Sequence, residues 1–529
     1  METLDDLFSR LERLNDIGAS LSNVRDLNAL LEKILLAAKQ ITHADGGTLY
    51  LISEDRQQLN FEIVRTNSLG IAFGGTTGQP MSGKFPSLQL YKDDGSPNNS
   101  MVAAYAALTG NTVNIADAYT AEGFDFSGTR KFDERTGYRS QSFLTVPMKN
   151  HEGEVIGVLQ LINAISETTG KVVEFSRADQ RLAESLASQA AVALTNRQLV
   201  QQLETLFESF IKLINLAIDE KSPYTGGHCQ RVPELTMMLA EAVNATTEGP
   251  LADFTLTDKD RYELRIAALM HDCGKITTPV HVVDKATKLQ TIFDRIHLVD
   301  TRFEVVKRDA EVRMWRSIAE GMPYAEANAI YADFCQKCDV HRSMLRKSNI
   351  GGEKMSDEDI ALVREIASSY RWRNPEGEEV PFLSDDELEN LTIRAGTLTA
   401  AEREIINYHI VATIKMLEQL PWPKHLKNVP EYAGGHHERM DGKGYPKGLK
   451  REEMSWQARM MGIADIFEAL TAKDRPYKEG MKLSQALSIL ENFKSGGHID
   501  PELYSIFIQE QVYLKYAKQH LDQGQVDFG

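Results

Sequence analysis

Between Arg177 and Ile218 the chain contains no glycine or proline, and its apolar residues recur at helical spacing. This commits the stretch to one long helix. In its second half, Leu199, Leu203, Leu206, Phe210, Leu213 and Ala217 alternate steps of four and three, the seam of a heptad repeat. Such a seam points to a parallel two-stranded coiled coil and hence a homodimer; a helix packed on its own domain is the alternative. The helical run, placed at 178–218, divides a chain of 529 residues, which is longer than one core usually serves.

Ahead of it, Leu4, Leu7, Leu11, Leu14 and Ile17 mark an amphipathic helix within 1–24, and a second helix is expected from Leu27 to about Ile41. The period then shortens to that of strands. Thr48–Ile52 and Asn60–Val64 form one pair. Phe143–Met148 and Val155–Ile162, joined by Asn150-His151-Glu152-Gly153, read as a hairpin. Helices flanking an antiparallel sheet define an α+β domain over 25–177. From Asp219 to the end the pattern is helical with no evident strand pair, so 219–529 is expected to be all-α.

Composition narrows the partners. Lys and Arg number 59 against 76 Asp and Glu, a net charge of −17, so a nucleic-acid polymer would be repelled. No apolar run reaches the length of a membrane span, and the acidic N-terminus is unlike a signal peptide, so a cytoplasmic protein without a membrane segment is expected. Four cysteines are too few for a disulfide framework.

The chemistry-bearing residues lie in the helical half. His271-Asp272 closes the apolar run Leu264–Met270 and precedes Cys273-Gly274-Lys275. His436-His437-Glu438 precedes Asp441-Gly442-Lys443-Gly444-Tyr445-Pro446, and Asp465 sits in Met461–Phe467. Imidazoles beside carboxylates suit a divalent cation, and a carboxylate with two oxygens can bridge two. Taken singly, each motif is weak.

Their order is more specific. The blocks Asp219–His228 with Arg231-Val232, His271–Lys275, Leu398-Thr399 through His409, His436–Pro446, Ala464–Thr471, Arg475–Lys478 and Asp500-Pro501 resemble the HD-GYP family of metal-dependent phosphohydrolases. The resemblance implies that His228, His271, Asp272 and Asp465 hold one divalent ion and that His409, His436 and His437 hold a second. Asp272 would bridge the two, and the metals would be Fe, Mn or similar. It further implies that Lys275 meets the scissile phosphate, that Arg475 and Lys478 grip the substrate, and that Gly444, Tyr445 and Pro446 form the family's GYP motif. The substrate so implied is a cyclic dinucleotide, typically cyclic di-GMP, opened to linear pGpG and in some members of the family cut on to GMP. The alternatives are another cyclic or mixed dinucleotide, or a weakly catalytic adaptor that meets signalling proteins through the GYP surface.

The chain departs from the family pattern at several points. Tyr224 stands where three-metal members carry Glu, which favours two ions. Ile410 replaces the usual Pro after His409, and His297 is a rival for that ligand position. Lys473 adds a residue ahead of Arg475. A charged, helical insertion occupies about 303–397, to cap the cleft, set substrate choice or bind a partner, or as plain surface elaboration. Within it, Cys335, Cys338 and His341 lack a clear fourth zinc ligand, so chance is the better reading.

Residues 25–177 resemble a GAF domain. Phe132-Asp133, Thr136-Gly137-Tyr138, Val146-Pro147 and Gly157–Asn163 look like the cyclic-nucleotide-binding subset. However, that subset's spaced motif reads here Asn163-Ala164, Phe175, Asp179-Gln180, without its internal ion pair. The alternatives this leaves are a cyclic nucleotide, another small molecule of identity unknown from the residues, or a purely dimerising role.

Overall fold

The computed structural model describes residues 4–21, 24, 26–81, 85–222, 227–352, 355–473 and 480–527. The chain divides into two compact units, Met1–Phe207 and Glu208–Gly529.

The first unit is a sheet with helices on both faces. Its elements are α1 (Leu4–Leu21), α2 (Leu27–Ile41), β1 (Ala44–Ile52), β2 (Gln58–Thr66), β3 (Ile71–Phe73), β4 (Leu88–Gln89), α3 (Val102–Thr109), β5 (Val113–Ile115), α4 (Ser127–Thr136), β6 (Phe143–Lys149), β7 (Val155–Ile165), β8 (Val172–Val173) and the start of α5 (Arg177–Lys221). The strands run in the order β3-β2-β1-β7-β6-β5, with every pairing antiparallel. The α+β sheet domain expected from the sequence is borne out. The hairpin turn at Asn150 is closed by its own side chain, whose Oδ1 accepts from the amides of Glu152 and Glu154, while Gly153 takes φ 81°.

Strand alternation sorts the core into two layers. Leu49, Leu159 and Leu161 face α1, α2 and the first part of α5, whereas their neighbours Tyr50 and Val158 face α3. Leu182, Leu186, Ala190 and Leu194 of α5 are buried in this core. The long helix therefore begins as part of the domain. Its free apolar stripe starts only near Leu199 and continues through Leu203, Leu206, Phe210 and Leu213, all 46–64% exposed.

The motif residues near α5 have structural partners. Asn163 accepts from the Gln141 and Ser142 amides and donates to the Arg139 carbonyl, and Asp179 caps the start of α5 through Ser176. Where an ion pair was missing from the sequence, the Gln180 amide accepts from Asn114 and donates to Glu184.

In the second unit, α6 (His228–Asn244), α7 (Asp258–Met270), α8 (Val280–Val283), α13 (Ala400–Glu418), α14 (Val429–Gly434), α15 (Trp456–Thr471), α16 (Leu483–Ser495), α17 (Pro501–Gln509) and α18 (Val512–His520) build the helical body. Between α8 and α13 lie α9 (Ile296–Ala319), α10 (Tyr324–Asn349), α11 (Asp357–Ser369) and α12 (Asp385–Leu391). This insertion has a core of its own, including Leu289, Val299, Phe303, Leu345, Ile366, Phe382 and Leu391. It starts earlier than residue 303, and the half read as purely helical also holds a short hairpin, β9 (Arg371–Arg373) with β10 (Glu379–Pro381). Cys338 is buried in the insertion core, and His341 Nδ1 lies 2.9 Å from the Tyr370 hydroxyl.

A buried ion pair locks the first unit. Glu32 of α2 meets Arg65 of β2 at 2.7 Å, with both side chains under a tenth exposed. Glu32 also accepts from the amides and hydroxyls of Thr76 and Thr77. Burial opposes its charge, but these donors and Arg65 outweigh burial and bring its pKa to about 2. A carboxyl with a depressed folded pKa stabilises above its unfolded pKa, and that stabilisation fades as pH falls from about 4.5 toward about 2. Glu32→Gln should cost about 3 kcal/mol above pH 5, since it leaves Arg65 buried and unpaired. The penalty should shrink on acidification, as followed by denaturant unfolding of the first unit's near-UV signal.

Candidate metal centre

Helix ends deliver most donors of the second unit, and the middles of two helices deliver the rest. A capping box of Thr257 and Asp260 starts α7, whose buried face (Leu264, Ala267, Ala268) seats it so that His271 falls at its C-cap. The chain then tightens into a 3₁₀ turn, Cys273–Thr277, which carries Lys275. Gly274 is required there, because a Cβ would collide with the carbonyl oxygen of His409 on α13. Helix α13, itself started by a Thr399–Glu402 capping box, presents His409 on a buried face. His228 is the first residue of α6, His436 follows α14, and Asp465 lies in α15.

These side chains converge. His228 Nε2 lies 3.1 Å from Asp272 Oδ2, 3.2 Å from Asp465 Oδ1 and 3.3 Å from His271 Nε2. His271 Nε2 is 3.3 Å from Asp272 Oδ2. The other oxygen of Asp272, Oδ1, faces His409 Nε2 at 3.2 Å. Two donor groups result, each with ligand atoms within 4.8 Å of one another: His228, His271 and Asp272, and His409, His436 and His437.

Hydrogen bonds fix which nitrogen points inward. His271, His409 and His436 each direct Nδ1 to a main-chain carbonyl three residues back, at 2.7, 2.5 and 2.6 Å. His228 directs Nδ1 to Glu468 at 2.5 Å. With Nδ1 engaged in each case, Nε2 is the nitrogen turned toward the centre, where a neutral imidazole presents its lone pair. Asp272 Oδ1, His409 Nε2 and His436 Nε2 are buried without a hydrogen-bond partner. Buried polar atoms without partners are costly, and three converging ones of this chemistry fit a divalent cation.

The electrostatics agree. Burial lowers the affinity of His436 and His437 for protons, His437 to about 4, so both imidazoles are neutral and able to coordinate near pH 7. Burial also opposes ionisation of Asp272, but Lys275 and His271 outweigh it and hold the carboxyl well below the usual range. Lys275 Nζ is 2.6 Å from Asp272 Oδ2, and its side chain is 20% exposed.

The GYP segment borders the same donors. Glu438 is buried and accepts from the amides of Lys447 and Leu449, closing the loop between them, and Gly444 sits where a Cβ would strike the backbone of Arg439. The Tyr445–Pro446 bond is cis, and the Tyr445 ring stacks on His437 with centroids 4.8 Å apart.

The structure thus brings together His228, His271, Asp272, Lys275, His409, His436, His437, Asp465 and Tyr445. His297, the rival of His409, is exposed at the start of α9, away from the donors. Arg475, Lys478 and Tyr224 lie outside the described residues. No role for Glu438 or Glu468 follows from the motifs; the one available signal for Glu468 was its position three residues after Asp465, on the same face of α15.

With that geometry in view, comparison with known proteins is direct. Residues 26–194 match the family model of the GAF domain, and residues 225–344 and 339–503 match two models of the HD domain. These matches place a GAF domain ahead of an HD region, consistent with an HD-GYP protein that carries an N-terminal GAF domain. Among curated relatives, the 3'3'-cGAMP-specific phosphodiesterase 3 of Vibrio cholerae is 26% identical over 57% of this chain and 38% of that protein. The 3'3'-cGAMP-specific phosphodiesterase 1 of the same organism is 40% identical over 15% of this chain and 19% of that protein. A probable cyclic di-GMP phosphodiesterase, also from Vibrio cholerae, is 35% identical over 26% of this chain and 32% of that protein. The chain therefore spans well under half the length of these relatives. Among the described residues no helix is long and apolar enough to cross a membrane.

If Asp272 joins the two donor groups, Asp272→Asn should weaken metal retention at both. Elemental analysis of the purified variant should show a fall in bound metal of more than half, with far-UV circular dichroism unchanged.

Proposed function

We propose that this chain is a metal-dependent phosphodiesterase that opens a cyclic dinucleotide, cyclic di-GMP or the mixed cyclic GMP–AMP. The observation that carries the reading is Asp272, whose two oxygens face two separate donor groups 3.1–3.3 Å away. His228, His271, Asp272 and Asp465 would hold one divalent ion, and His409, His436 and His437 the other. Two such ions supply positive charge that polarises a phosphodiester and acidifies water.

The chain's own residues do the rest. The Nδ1 hydrogen bonds orient the imidazoles before any ligand arrives, so little reorganisation is needed on binding. Asp272 and Asp465 hold negative charge inside the centre. Lys275, the partly exposed cation beside them, is available to a substrate phosphate and to the negative charge that grows on a leaving 3′-oxygen. Arg475 and Lys478 are assigned to the substrate's phosphate or guanine. Tyr445 packs its ring on His437 and so steadies that ligand, which makes the GYP segment part of the centre as well as a surface for partners.

Two further assignments belong to this reading. The first unit has a half-open cavity of about 460 Å³ walled by Tyr50, Phe61, Phe126, Phe132 and Phe143, and its described lining includes Asp125 but no Lys or Arg. A small, uncharged, ring-shaped ligand suits it better than a nucleotide phosphate. The exposed stripe from Leu199 to Leu213 is assigned to a second copy of α5, because a heptad seam is complementary to itself.

The deciding experiment incubates the chain, loaded with Mn²⁺, with cyclic di-GMP and with 3′3′-cyclic GMP–AMP in parallel and separates the products by chromatography. Linear dinucleotide should form from at least one of them and should fall by a factor of at least about 1,000 in His271→Ala. No product from either substrate in metal-loaded protein would sink the proposal. For the stripe, Leu206→Glu combined with Phe210→Glu should convert a dimer into a monomer by light scattering.

A further inference from the structure

The four oriented imidazoles are not held alike. Three give Nδ1 to a carbonyl of the preceding helical turn. His228 opens its helix and has no such turn behind it; its Nδ1 partner is the Glu468 carboxylate, at 2.5 Å from Oε2. Glu468 is 1% exposed, and its other oxygen is gripped by Arg231 through Nε at 2.7 Å and Nη2 at 2.6 Å. Arg231 lies one turn after His228 on α6, and Glu468 one turn after Asp465 on α15. Each ligand helix thus contributes one ligand and one member of a supporting pair.

We infer that Glu468 is a positioning residue of the metal centre: clamped by Arg231, it fixes His228 with Nε2 toward Asp272 and Asp465 and strengthens that group's hold on a divalent cation. The inference rests on the proposal that these donors bind metal. A carboxylate paired with an imidazole makes its far nitrogen a stronger donor than a neutral carbonyl does. Arg231 occupies the other oxygen of the carboxylate and so holds Glu468 outside the ligand set. The arrangement also gives the His228 group, which holds two carboxylates, a further source of negative charge that the three-imidazole group lacks.

The test uses the full chain stripped by chelator and titrated with Mn²⁺ alone, with bound metal read by equilibrium dialysis. Metal uptake by the unsubstituted chain comes first. Its absence overturns the metal reading and this inference together. Given uptake, Glu468→Gln keeps an acceptor for Nδ1 but removes the charge, and it should weaken one of two sites by about tenfold or more, with the far-UV circular dichroism of the stripped protein unchanged. In a His228→Ala background the same substitution should have no further effect. Unchanged Mn²⁺ affinity in Glu468→Gln, or an equal loss with and without His228, overturns the inference while leaving the phosphodiesterase proposal intact. Should Glu468→Gln fail to fold, Arg231→Lys, which keeps the charge but loses the fork, should weaken the same site severalfold. Unchanged affinity there overturns the inference equally.

Discussion

An imidazole has two nitrogens, and at this centre the one that faces outward decides what the inward one can do. Because Nδ1 of His271, His409 and His436 is bound to a carbonyl of its own helix turn, each ring is locked by the backbone that carries it. The helices then need only be placed correctly for the Nε2 atoms to meet. That placement comes from apolar packing: α6, α7, α13, α14 and α15 bury Val232, Leu264, Ala267, Ile410, Ala433 and Ala464 against one another. Small residues at several of these contacts let the helix ends come close enough for ligand distances.

Much of this was legible in the sequence. The four long strands of the first unit, β1, β2, β6 and β7, showed as period-two runs, while the short β3, β4, β5 and β8 did not, and the hairpin at Asn150 showed as a turn whose residues supply both a side-chain acceptor and a positive φ. His228, His271, Asp272, His436 and His437 were legible because they sit in short motifs at helix ends, where local chain geometry dictates position, whereas His409 and Asp465 lie inside α13 and α15. Glycines added confirmation: Gly274 and Gly444 stand where any side chain would meet backbone.

What stayed hidden depends on partners far away in the chain. Glu468 meets His228 across 240 residues, and no local pattern marks a carboxylate as buried rather than solvated. The Ala-rich start of α5 reads equally well as linker or as core, and only the sheet beneath it shows that Leu182–Leu194 belong to the first unit. The β9–β10 hairpin was masked by charged residues on both strands, although Asn374 and Gly377 do make its turn.

The insertion is fastened at its base. Lys285 reaches Asn390 and Glu402, Lys288 reaches the carbonyls of Leu391 and Ile393, and Thr397 donates to the carbonyl of Lys285. Asp272 and His409 lie on opposite sides of this module in the chain, so bringing them together from an unfolded state would mean closing a very long loop. A module that first collapses on its own aromatic core brings its two ends side by side, and the remaining closure costs little more than that of a short connection. The aromatic core of the insertion therefore lowers the entropic cost of assembling a donor set of which it contains no member.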